Sequence, residues 1–285
     1  MQLFFSIVFY AACVYKIVTE DAEVHNAVFG FYNAIFYCLI TSFLLIINAI
    51  ILTLVVRGQK LIELKNYYPP LFYLLFSFLF PTVLNPLVLF AGLVFMLGIF
   101  PNLFDLEEHN INRKIFRYGF CVGILALLHF PLIVLLFFAY LTCLTYRRFS
   151  FRIFFLPIIS VLSPFLYWYS ALYILGYDFS FQENIQQMRE SLLQFQFFNL
   201  TETPITLIST LFLLILWLRL LYFLWSFSGK SAVLRRKKYY ILLVLFLFSM
   251  VLAFLYSQYY IEIVLMMYSI VLSLYLMFTK KKRNY

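Results

Sequence analysis

Charge is scarce in this chain. Of its 285 residues 12% are charged, against 65% hydrophobic and 22% aromatic. Soluble domains carry roughly 25% charged residues. So little charge excludes a soluble globular domain, and lipid must be the solvent for most of the chain. The length suits one compact membrane domain, 1–285, with no room for a large soluble one. Cysteine is also sparse. Cys13, Cys38, Cys121 and Cys143 all lie in apolar runs with no CxxC or other metal spacing, so they read as small buried hydrophobes. Of three histidines only His129 lies at membrane depth, which argues against a b-type haem with two axial ligands. No P-loop, HExxH, GxSxG or dinucleotide fingerprint is present. Nor is there a chain of intramembrane carboxylates, as a proton-driven pump would use, or an internal repeat of the kind secondary transporters carry.

What charge there is falls into a pattern. The net charge is +9, and nearly all of the 21 Lys and Arg sit in short gaps between apolar runs. Basic gaps alternate with acidic or neutral ones, as the positive-inside rule requires. Charge spread over several loops is not a nucleic-acid footprint.

The apolar runs cover roughly 2–18, 27–56, 71–100, 119–146, 153–176, 203–228, 239–257 and 262–279. Residues 1–15 resemble a signal h-region, but no positive n-region precedes them. Tyr10-Ala11-Ala12-Cys13 departs from a lipoprotein box by its leading aromatic, so an uncleaved first helix is expected. As one straight helix, 71–100 would be about 45 Å long, well beyond a hydrocarbon core of about 30 Å. Pro81 and Pro86 interrupt it, and helix interiors tolerate proline poorly. This predicts a hairpin of two helices, 70–82 and 86–100. Pro131 likewise divides 119–146 into 119–130 and 132–146. The predicted fold is an all-α, polytopic transmembrane bundle of about ten spans, or eight if 70–100 and 119–146 are single helices, with both termini cytoplasmic. With ten spans, 18 of the 21 basic residues are cytoplasmic. With eight, Arg113, Lys114 and Arg117 move outside, so the bias favours ten.

Two outer loops then draw notice. The acidic loop 19–26 holds Glu20, Asp21, Glu23 and His25. A carboxylate there could serve as a general base, or bind a divalent cation bridging a lipid phosphate; a merely solvated loop is the plain alternative. No other cofactor is implied. In 177–202, Ser180 and Glu183 have capping-box spacing, and Phe181, Ile185, Met188, Leu192 and Phe195 follow at helical spacing. This predicts an amphipathic helix, 180–199, lying on the outer leaflet or over the bundle mouth. Phe195, Phe197 and Phe198 would be its docking surface. Asn199-Leu200-Thr201 is a formal sequon of little weight.

Within the membrane, His129 could donate to an anionic headgroup or to backbone freed by the proline break. Arg219 could do the first or snorkel toward the inner interface. Asn48, Asn85 and Gln258 read as interhelical hydrogen-bond partners.

Several separated stretches occur in order: Tyr67-Tyr68-Pro69-Pro70-Leu71-Phe72-Tyr73-Leu74-Leu75-Phe76-Ser77, the Pro81 to Pro86 hairpin, Gly119 through Pro131, Arg147-Arg148-Phe149-Ser150-Phe151-Arg152, and Ser163-Pro164-Phe165. Over roughly 27–175 they resemble an uncharacterised multi-pass inner-membrane family of Bacteroidota, a domain of unknown function. More distantly the chain is similar to the GT-C superfamily of lipid-linked glycosyltransferases. That likeness implies catalytic acids at Glu20, Asp21 and Glu23, and a lipid-phosphate contact at His129, with Arg219 as a further candidate.

Two functions are expected from these residues. One is an inner-membrane transferase or binder of a polyprenyl-phosphate-linked sugar in cell-envelope biogenesis. The other is a non-catalytic subunit of a larger envelope complex for secretion, motility or glycan assembly, with other inner-membrane proteins as partners. A transporter comes third. The residues do not decide whether the chain is an enzyme.

Overall fold

A computed structural model describes residues 27–61, 67–80, 84–104, 111–146, 150–175, 215–226, 233–256 and 258–283. Among them every regular element is helical. Helix α1 is Ala27–Gly58, with Arg57 in its last turn, a cation suited to a helix C-terminus; Lys60 then takes a left-handed φ of 54° in the turn that follows. Helix α2, Tyr68–Leu79, opens with proline in its first turn, where no N–H is missed. Helix α3, Pro86–Phe104, opens on Pro86 with the Asn85 side chain accepting from Leu87 N at 3.0 Å. It contains a π turn over Phe95–Ile99. Helix α4 is Ile111–Leu128, and α5, Phe130–Thr145, begins with a 3₁₀ stretch over Phe130–Leu135. Helix α6 is Phe151–Ile174, capped by Ser150. Helices α7, Ile215–Ser226, α8, Val233–Tyr256, and α9, Gln258–Arg283, complete the order.

Four of these are long and apolar enough to cross a membrane: Phe36–Gly58, Pro86–Phe104, Phe151–Ile174 and Tyr260–Phe278. The chain is a helical membrane protein. Helix α9 sits at the centre, packed by α2, α3 and α8, and α1 lies against α2 and α3. Helices α4 and α6 form the other close pair.

Both proline breaks are true reversals. Asn48 Nδ2 reaches Leu89 O at 2.8 Å and Tyr73 Oη at 3.5 Å. In a straight helix Tyr73 and Leu89 would lie about 24 Å apart, so α2 and α3 are a hairpin. Similarly the Tyr118 hydroxyl donates to Leu135 O across the His129 break, which folds α5 back on α4. The boundaries differ from those predicted. Helix α3 runs on to Phe104, and α4 starts at Ile111, because Arg113, Lys114 and Arg117 continue the helix beyond its apolar stretch.

The breaks leave backbone carbonyls that lipid cannot satisfy. Tyrosines take them. Tyr260 Oη donates to Pro131 O at 2.8 Å, and Tyr146 Oη to Phe104 O at 3.1 Å. Glycines set the crossings. A Cβ on Gly119 would run into Ser160 Oγ, and one on Gly123 would stand 2.6 Å from Val161 O. Gly119 and Gly123 thus let α4 approach the α6 backbone as small-xxx-small pairs do.

Candidate functional site

The one acid among the described residues is Glu262, at the start of the α9 span, with 0% of its surface exposed. Tyr73 Oη donates to Glu262 Oε1 at 2.5 Å, a bond between residues 189 apart in sequence. Tyr73 is itself fully buried and accepts weakly from Asn48 Nδ2. Ser77 Oγ returns to Tyr73 O at 2.9 Å, which holds α2 regular beneath the phenol. The carboxyl fits because α3 presents Gly92 to it. Glu262 Oε2 and Asn48 Oδ1, both buried, have no hydrogen-bond partner among the described residues. Helices α2 and α3 carry no charged residue at all. A carboxylate at such depth costs several kcal/mol unless paired, and an intramembrane ionisable group marks function by default. Four helices therefore converge on one acid, one phenol and one amide. No group of three His, Cys, Asp or Glu able to hold a metal occurs among the described residues.

A second feature lies between α3 and α4, a groove of about 560 Å³. Its floor is the Gly98–Cys121 contact, where the helices touch at the π turn. Its walls are Leu93, Leu97, Phe116, Phe120 and Ile124. Among its described lining residues the polar side chains Asn102 and Arg117 stand together at one end. The helices run antiparallel there, so from Asn102 to Leu93 the groove is about 13 Å long. Asn102 Nδ2 caps Gly98 O at 2.5 Å. Arg117 is exposed and pairs with nothing among the described residues.

The sequence candidates fall as follows. Glu20, Asp21, Glu23 and the whole acidic loop 19–26 lie outside the described residues, as do the helix 180–199 and Phe195, Phe197 and Phe198. His129 sits half-buried in the α4–α5 break with an extended backbone, next to the Pro131 carbonyl that Tyr260 holds. Arg219 is exposed on α7; its Nη2 donates to Tyr275 Oη at 2.8 Å, with the guanidinium 5.4 Å from that ring. Tyr260 and Tyr275 are about 22 Å apart along α9. His129 and Arg219 are therefore at opposite ends of that helix and cannot share one phosphate. Asn48 is an interhelical partner as expected, whereas Asn85 caps its own helix. Cys38 and Cys143 are buried and Cys121 is half-buried, none of them in a disulfide.

Glu262, Tyr73 and Arg117 were not singled out by the sequence. Glu262 reads there as the outer edge of the last apolar run. Its signal was that it is the one acid between Gln258 and Arg283.

No curated protein and no solved structure matches the chain. One family model does, over residues 2–284, and the chain belongs to that family, the family of unknown function DUF6427.

Proposed function

We propose that this DUF6427 protein is an inner-membrane protein of the cell envelope that binds a phosphate-bearing lipid, of the polyprenyl-phosphate class that the distant sequence resemblance to lipid-linked glycosyltransferases would imply. The observation that carries the reading is the α3–α4 groove. It is apolar along its length and ends in an arginine, unpaired among the described residues, beside an amide. A prenyl or acyl chain would lie along Leu97, Phe116, Phe120 and Ile124. The phosphate would meet the Arg117 guanidinium, whose planar fork suits phosphate oxygens. Asn102 would accept or donate at the headgroup's edge.

Binding is favoured over transfer by placement. In the ten-span orientation Arg117 faces the cytoplasm, and Glu20, Asp21 and Glu23 face outward. A headgroup on Arg117 would then be a membrane thickness away from those acids. The non-catalytic subunit reading fits a binder as well as an enzyme, with Phe195, Phe197 and Phe198 as its docking surface.

The test is lipid mass spectrometry on protein purified in mild detergent from native membranes. Wild-type protein should retain a phosphate-bearing lipid through successive washes, and Arg117→Ala should lose at least about tenfold of it, roughly 1.4 kcal/mol of binding. Equal retention by Arg117→Ala, or retention of no phosphate-bearing lipid, overturns the reading.

A further inference from the structure

We propose that Glu262, Tyr73 and Asn48 form a binding site for one small monovalent cation, a proton or a sodium ion, buried between α1, α2, α3 and α9. The inference is independent of the lipid groove.

The first support is charge balance. A fully buried carboxylate needs a positive partner, and the described residues of the helices around it supply none. Helices α2 and α3 have no charged residue. The one charge on α1 is Arg57, about 13 Å along that helix from Asn48. The cations of α8 are Arg235 to Lys238 at its beginning, and those of α9 are Lys280 to Arg283, about 27 Å away. The neighbouring titratable groups do not substitute for a cation. Tyr73 is already bonded to Glu262. On α9 itself the Tyr260 hydroxyl is turned to Pro131 O, and the Tyr268 ring packs edge-on between Phe76 and Phe246. Helix α3 has no titratable side chain.

The second support is two open acceptors in one small cluster. Glu262 Oε2 and Asn48 Oδ1 both lack partners among the described residues, and their parent groups are joined through the Tyr73 phenol. A small cation is the one ligand that both satisfies lone pairs and supplies the missing charge. A proton on Oε2 would do so as a donor; a sodium ion would do so by coordination to Oε2 and Oδ1. The third support is that α3 makes way for the acid: a Cβ at Gly92 would stand 2.9 Å from Glu262 Oε1, so glycine there lets the carboxyl sit against α3. With a single carboxylate present the site is too poor in charge for a divalent ion, which draws on several oxygens and usually more than one acid.

The experiment is carbodiimide labelling of the purified full-length protein in nanodiscs, read by peptide mass mapping. Dicyclohexylcarbodiimide modifies protonated carboxyls in apolar surroundings. An adduct on Glu262, absent in Glu262→Gln and changed in rate in Tyr73→Phe, is expected. If the cation is a proton alone, the rate falls with rising pH, by up to about tenfold per unit, and sodium has no effect. If sodium also binds, millimolar sodium slows labelling at fixed pH while potassium does not. Absence of any adduct on Glu262, or a rate indifferent to both pH and sodium, overturns the proposal. The wild-type result decides even if a variant fails to fold.

Discussion

Gly92 and Glu262 compete for one space. A Cβ added to Gly92 would stand 2.8 Å from Glu262 Cγ and 2.9 Å from its Oε1, with Met266 Cε at 2.7 Å. Met266 can swing its end away. The Glu262 Cγ is close to the α9 backbone and cannot. Gly92→Ala should therefore destabilise the protein by about 1–3 kcal/mol, as overpacking does. Gly58→Ala, with nothing within 4 Å of the added carbon, should be neutral or stabilising by up to about 1 kcal/mol. Thermal unfolding midpoints in one detergent compare the two. A Gly92→Ala protein as stable as the wild type would refute the tight α3–α9 contact.

The α4–α6 crossing gives a sharper case. At Gly123 a Cβ would meet Val161 O at 2.6 Å and Pro164 Cγ at 2.8 Å, so the obstacle is backbone and a fixed ring. Neither moves without shifting α6. Gly123→Ala should cost more than Gly92→Ala, and Gly123→Leu should prevent a monodisperse protein from being recovered. Size-exclusion profiles of the purified variants check this. A normal profile for Gly123→Leu would mean that α4 and α6 are further apart than described.

Tyrosine hydroxyls at the helix breaks carry the third prediction. Tyr260→Phe leaves Pro131 O without its donor in a site that water does not reach, and Tyr118→Phe does the same to Leu135 O. Each should lower stability by about 0.5–2 kcal/mol, the range for hydrogen bonds within membrane bundles and for buried groups left unpaired. Tyr173→Phe, at a side chain 82% exposed, should leave the unfolding midpoint unchanged and serves as the control.

How far the sequence discloses this molecule depends on the range of each interaction. Pro81, Pro86 and Pro131 act locally, by removing N–H groups and clashing with the preceding turn, so both hairpins could be read from them. The start of α4 could not be placed from hydropathy, because Arg113, Lys114 and Arg117 are good helix formers that happen to be charged. Asn48 announced itself as a polar residue amid apolar ones. Glu262 did not, because its importance comes from Tyr73, Asn48 and Gly92, three residues brought from three other helices. The groove escaped notice for the same reason: Asn102 and Arg117 meet only because α3 and α4 are antiparallel.

Topology gives the last prediction, and it bears on function. The hairpin turns imply that residue 84 is at one face of the membrane and residue 112 at the other. In a background lacking all four native cysteines, Leu84→Cys should react from the outside with a membrane-impermeant maleimide, and Asn112→Cys only after the membrane is opened. A single helix over 70–100 would instead bury Leu84→Cys and expose Asn112→Cys outside. The difference is chemical as much as geometric. Residue 112 is about 8 Å along α4 from Arg117, so its face fixes the leaflet from which a phosphate reaches the groove. Labelling of Asn112→Cys from outside would bring Arg117 to the outer face, where the charge pattern of the sequence would put Glu20, Asp21 and Glu23, and a lipid phosphate held there would lie within reach of those acids. Labelling from inside would put Arg117 on the cytoplasmic side, away from the face expected for those acids.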